Sequence, residues 1–263
     1  MILMFDKTRL ARQFGQSADY YHHHATVQRY AADRLLSWLA ECSIPLGKVL
    51  EVGCGTGFLS QGLIDLLPEY DLEISDLSPQ ILRFCQDHLI LDHSRPEQVK
   101  FLVLDGENLP DRESPDDRYS LITSSFVLQW FQSVQDTIQN FYRCLKPEGV
   151  LLLSFPSDHS FPELKAYCSD RQVPYPFNPL PNFKTIVEML YQKDLCCEYR
   201  TEWYSETYPN LRAVCDHLKN LGAGLKTKGI PLSYSQMKIL LEPDKNTEFK
   251  VSYHLVFLCI YAK

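Results

Sequence analysis

"KVLEVGCGTGFLS", Lys48–Ser60, is a short apolar run that breaks into alternating glycines. A strand followed by Gly53-Cys54-Gly55-Thr56-Gly57 and then by an apolar helix, Phe58–Leu67, is a frame for a nucleotide-like cofactor. A dinucleotide fold wants Gly-x-Gly-x-x-Gly, with a third glycine for close helix packing and a helix N-terminus facing a pyrophosphate. Here Phe58 stands where that third glycine belongs. Glu51, just before the glycines, would repel a phosphate. It suits a ligand that carries an ammonium and a sulfonium and no phosphate, which describes S-adenosylmethionine (SAM).

Outward from the loop, strands and helices alternate. Tyr70–Ser75 reads as a second strand, and Ser78-Pro79 as N-cap and first position of a helix to about Leu91. Val99–Leu104 and Tyr119–Ser124 read as third and fourth strands. Ser133–Leu145 reads as a helix stopped by Pro147 and Gly149, and Val150–Phe155 as a fifth strand. This rhythm predicts an α/β fold with a mostly parallel, doubly wound Rossmann-like sheet, whose ligands sit at the carboxyl ends of its strands. Asp76 falls at the end of strand two, where a carboxylate can take both ribose hydroxyls. Asp105 in "LDGENLP" falls at the end of strand three, as an acceptor for an adenine amino group. With Glu51 they put three acids on the binding edge.

Before this core, Thr26–Cys42 has apolar residues at helical spacing (Ala31, Leu35, Trp38, Leu39). After it, Pro162, Pro174, Pro176, Pro179 and Pro181 predict an irregular substrate-side insertion over 156–181. A helix over Asn182–Lys193, a strand over Cys196–Tyr204, a helix over Asn210–Leu221 and a long final strand over Phe249–Ala262 follow. The whole is expected as a single domain: residues 8–43 an N-terminal helical cap, 44–156 the cofactor core, 157–232 the insertion and its helices, and 233–263 a C-terminal helix and edge strand.

The 263 residues carry a formal charge of −7, and no basic stripe is visible, so a nucleic-acid surface is not expected. The nine cysteines show no Cys-x-x-Cys spacing, which fits reduced, buried thiols. No stretch reaches the roughly 18 apolar residues of a membrane span. A cytoplasmic monomer is expected. His22-His23-His24 does not make a metal site, because consecutive helical residues point about 100° apart; no metal is expected.

"VLEVGCGTG", "ISDLSP", "LDGENLP" and "FYRCLKPEGVLLLS" together resemble the class I SAM-dependent methyltransferases. The resemblance implies seven strands with an antiparallel hairpin at one edge. It also implies that Gly53, Gly55 and Gly57 line the methionine part of SAM and that Leu77 flanks the adenine. With Glu51, Asp76 and Asp105, and with Cys54, Gly106, Glu107 and Ser124, these residues form the expected cofactor site. "FGQSADYYHHHATVQRYAADRLL", "SSFVLQWFQSVQ", "SFPELKAY", "HLKNLGA" and "VSYHLVFLCIYAK" are similar to segments of the malonyl-acyl carrier protein O-methyltransferase family of biotin synthesis. In that family an Asn-Arg-Phe stretch usually follows the Pro-Glu-Leu helix; here "VPYPFNPLPNF" has no arginine. The resemblance implies methylation of the free carboxylate of a malonyl thioester on an acyl carrier protein or on coenzyme A, with S-adenosylhomocysteine as product. Tyr21 would then cap SAM or the acceptor, Lys219 would orient the acceptor carboxylate, and Tyr253 or His254 would hydrogen-bond it. Arg143, Lys146, Lys219, Lys226 and Lys228 are candidates for docking the acidic carrier. A methyltransferase acting on another small carboxylate or a phenol, and a non-catalytic SAM-binding subunit, share the core motifs.

Overall fold

A computed structural model describes residues 6–91, 97–110, 114–222, 232–241 and 248–263. Seven strands form one sheet in the order β3-β2-β1-β4-β5-β7-β6. They are β1 (Lys48–Val52), β2 (Asp71–Asp76), β3 (Val99–Val103), β4 (Tyr119–Ser125), β5 (Leu145–Pro156), β6 (Cys196–Tyr208) and β7 (Phe249–Tyr261). The first five are parallel, and β7 runs antiparallel between β5 and β6. Strand order reverses between β1 and β4, so the crevice expected of an open α/β sheet opens there. The central strands are covered on both faces, which is why β1 and β4 are buried almost throughout instead of alternating.

One face carries α2 (Thr26–Leu39) and α3 (Phe58–Leu66), with α6 (Pro162–Asp170) and α8 (Leu211–Asn220) beside β7. The other carries α5 (Val134–Arg143) and α7 (Phe183–Gln192), whose Ile138, Phe141, Ile186 and Leu190 are buried against it. α4 (Pro79–His88) starts as its sequence demands: Ser78 accepts from the Ile81 N–H and Pro79 occupies the first turn. α9 (Tyr234–Leu241) precedes β7. The first helix, α1 (Lys7–His24), begins where Asp6 accepts from the Arg9 N–H, and it crosses to pack on α4.

One expectation needs correction. The proline-rich 156–181 stretch is not irregular throughout, because Pro162 sits in the first turn of α6. There its missing N–H would have had no helical partner in any case. β6 and β5 also run longer than the sequence suggests.

α2 reaches α3 through Gly62, where an added Cβ would run into the Leu36 side chain. Gly62→Val is therefore expected to overpack this seam by about 1–3 kcal/mol and lower the melting temperature by roughly 3–10 °C. A melt that matches the parent would show that the seam is loose.

Candidate active site

The carboxyl ends of β1, β2 and β4 open into a cavity roofed by α1. Its floor is the glycine loop. Gly53 and Gly55 have φ of +74° and +53°, a region that side-chain-bearing residues rarely adopt. An added Cβ on Gly53 would strike Val127 of the loop after β4, while Gly55 faces only the Tyr21 ring, 3.8 Å from such a Cβ. The Gly53 and Cys54 N–H groups both donate to the Ser75 carbonyl at 2.8 Å.

Asp76 binds the loop from the side. Its Oδ2 accepts from the Gly55 N–H at 3.2 Å and its Oδ1 from the Ser78 N–H at 2.8 Å. Burial nevertheless pushes its carboxyl up to about 6, and each oxygen keeps acceptor capacity toward the cavity. Asp105 stands at the far end beside Gly106 and Leu77. Tyr21 closes the roof. Burial, with a smaller contribution from Asp76, holds its hydroxyl well above its ordinary titration range, so it stays a donor.

Gly53, Gly55, Asp76, Leu77, Asp105, Gly106 and Tyr21 thus share one wall. The other expected residues do not reach it. Glu51 is buried beneath the loop, and its Oε2 accepts from Ser60 Oγ at 2.6 Å. Desolvation raises its carboxyl to about 8; since Glu51 does not line the cavity, any influence on a bound cation passes through the loop. Cys54 packs with Cys85, and Gly57 is the left-handed N-cap of α3. Ser124 donates to the Val52 carbonyl at 2.7 Å, and its neighbour Ser125 faces the cavity instead. Glu107 accepts from the Ser133 N–H at 3.1 Å and so braces the start of α5.

Lys219 stands exposed on α8, off the wall, and it is Leu221 that reaches the cavity. His254 faces away from the cavity, its Nδ1 2.7 Å from Ser157 Oγ and its ring against Trp203. Burial pushes the titration of that imidazole down. Tyr253 is buried against Phe161. Lys146 lies beside Gly47 ahead of β1, and Arg143 ends α5 just before β5. Both are at the amino ends of the parallel strands, on the edge opposite the cavity, so they and Lys219 do not form one patch. Lys226 and Lys228 fall outside the described residues.

Sequence reasoning missed Lys7, Phe14, Gln28, Gln129 and Trp130, all on the wall. Among the described residues the carbonyl oxygens of Gln28 and Gln129 have no partner, an arrangement that costs about 1–3 kcal/mol each when no donor fills it. Such orphan acceptors suit a ligand with an ammonium or hydroxyl donors. The fit to SAM is therefore good: a bare glycine floor, two amide oxygens unpaired among the described residues, and the Asp76 carboxylate at the β2 end. Among the described residues no three His, Cys, Asp or Glu side chains gather as metal ligands, and no helix is long and apolar enough to cross a membrane.

Comparisons agree with this geometry. A methyltransferase-domain family matches residues 50–151. The malonyl-[acyl-carrier protein] O-methyltransferase of Magnetococcus marinus is 30% identical over 95% of this chain and 90% of its own length. In fold, the chain is similar to the YcgJ protein of Bacillus subtilis (TM-score 0.60, 14% identity, 88% of this chain and 99% of that one). It is also similar to the magnesium protoporphyrin IX methyltransferase of Synechocystis PCC 6803, solved with bound S-adenosylhomocysteine (TM-score 0.53, 15% identity, 88% and 82% covered).

The raised Asp76 carboxyl has a measurable consequence. With Asp76 as the expected ribose acceptor, a diol would donate to the ionised form, so below about pH 6 binding would first have to remove a proton. Affinity for S-adenosylhomocysteine is expected to rise roughly tenfold from about pH 5 to pH 7, with proton release seen by calorimetry in buffers of different ionisation heat. An affinity that is flat or falls over that range would contradict the placement of Asp76.

Proposed function

We propose that this chain, which belongs to the malonyl-[acyl-carrier protein] O-methyltransferase family, methylates the free carboxylate of a malonyl thioester on an acyl carrier protein, at an early step of biotin synthesis. The observation that carries the reading is the extent of the relation. It covers 95% of the chain, far beyond the cofactor core at 50–151, and so includes α1, which roofs the cavity, together with β6 and β7.

SAM, when bound, supplies a methyl group activated on a sulfonium. The protein's residues have a short list of tasks. A carboxylate with a pKa of about 4 is already ionised at neutral pH, so no general base is needed. The described wall carries no histidine, which favours a carboxylate over a phenol as acceptor. Its one lysine, Lys7, is engaged with Asp105 and Glu107. The acceptor carboxylate is then held by neutral donors, the Tyr21 hydroxyl first. A tight cationic clamp would draw charge from the attacking oxygen. A hydrogen bond orients it and leaves it nucleophilic.

The roof does the rest. Phe14 and Tyr21 from α1 face Phe126, Trp130 and Phe131 from the segment after β4 across the cavity, an apolar lining that would strip hydration from a weak nucleophile and keep it oriented for attack. The Phe14 ring meets Trp130 edge-on at 5.2 Å between centroids, so the roof is joined to the loop after β4. The carrier approaches from the cavity edge, which leaves Arg143 and Lys146 out of its docking surface.

The test is transfer of a labelled methyl group from SAM to malonyl-acyl carrier protein, with malonyl-CoA, free malonate and acetyl-acyl carrier protein in parallel. Label on the malonyl thioesters and none on the acetyl one is expected. In Tyr21→Phe, kcat is expected to fall roughly tenfold or more with S-adenosylhomocysteine affinity nearly kept. Label on none of these acceptors, from protein that binds SAM, would point to a different acceptor.

A further inference from the structure

Asp105 is the acid at the end of the β3 segment, and it has no acceptor capacity left. Its Oδ1 accepts from Lys7 Nζ at 2.8 Å and from the Glu107 N–H at 3.2 Å. Its Oδ2 accepts from Lys7 Nζ at 2.7 Å and from Asn108 Nδ2 at 2.6 Å. Two carboxylate oxygens offer about four lone-pair sites, and all are used. Yet Asp105 lines the cavity, with Leu77, Gly106 and Phe131 around it.

The four bonds are not equally replaceable. Glu107 and Asn108 belong to the same short turn as Asp105, Gly106–Asn108, and cannot leave it without unwinding the turn. Lys7 comes from the first turn of α1, 98 residues away in sequence, and it lines the cavity itself. It also has somewhere to go, because its Nζ lies 2.6 Å from Glu107 Oε2. Lys7 can give up Asp105 and remain paired.

We propose that Lys7 is a tethered competitor for Asp105. It occupies the acceptor that the adenine amino group of the cofactor needs, and cofactor entry shifts it to Glu107 and loosens the first turn of α1. The proposal rests on the reading of Asp105 as the adenine acceptor. A ligand that must displace an internal occupant binds with its intrinsic affinity reduced by the fraction of protein in the blocked state. Lys7 therefore lowers cofactor affinity and, by linkage, couples the α1 first turn to cofactor occupancy. The rest of the roof does not need to move. Leu10 and Ala18 are buried, and the Gln13 amide donates to the Gly222 carbonyl at 3.2 Å.

Calorimetric titration of S-adenosylhomocysteine into the parent and into Lys7→Met tests this, with Lys7→Gln as a second variant. The pair is about a quarter exposed on each side, so a gain of roughly five- to tenfold in affinity is expected on its removal. S-inosylhomocysteine, which carries a carbonyl where adenine has its amino group, should show no such gain. Limited trypsinolysis supplies a second readout: cleavage after Lys7 and Arg9 in the parent should quicken when S-adenosylhomocysteine is added. Unchanged or weaker binding in both variants, an equal gain for the inosine analogue, or slower cleavage would each overturn the proposal. A parent protein that binds neither ligand would remove the cofactor reading itself, and this proposal with it.

Discussion

The Asp76 carboxylate bonds two backbone N–H groups at once, one on Gly55 and one on Ser78. It thereby ties the glycine loop after β1 to the turn that opens α4 after β2. The loop can take its left-handed bends only because Gly53 and Gly55 tolerate them, and its floor is bare because neither carries a side chain. Val127 presses on one side of that floor and Tyr21 covers the other. Move Asp76 and the loop, the roof contact and the cavity-facing acceptor all lose their reference.

What the cavity lacks also shapes its chemistry. Its described wall is largely apolar, with amide oxygens, two hydroxyls and two carboxylates, and its single cation is already paired. Such a site suits a reaction in which the nucleophile arrives ionised and the electrophile arrives activated. The protein contributes alignment, exclusion of water and neutral hydrogen bonds, and it does not have to manage a proton.

Most of the sheet was legible because a strand-glycine-helix sequence and acids at successive strand ends have few other uses. The errors have physical causes. Glu51 and Ser124 lie on central parallel strands buried on both faces, so alternation does not say which side chain turns toward the ligand. On α8, Leu211, Val214 and Leu218 mark the buried face, a stripe that is readable in the sequence, and Lys219 falls outside it. Lys7 and Gln28 belong to the wall only because of how α1 and α2 cross the sheet edge, and Gln129 because of the turn over Leu128–Trp130 after β4, none of which a local periodicity encodes. Pro162 was taken for a breaker where it starts a helix.

The central claim is that one braced glycine loop, under one aromatic roof, holds SAM. Titrating S-adenosylhomocysteine into Asp76→Asn, alongside a thermal melt, tests it most directly. The amide keeps the shape but can accept at only one of the two oxygens. The account predicts one site per chain in the parent, affinity reduced on the order of ten- to a hundredfold in the variant, and a melting temperature changed by only a few degrees. Parent-like affinity in a folded Asp76→Asn protein would contradict it.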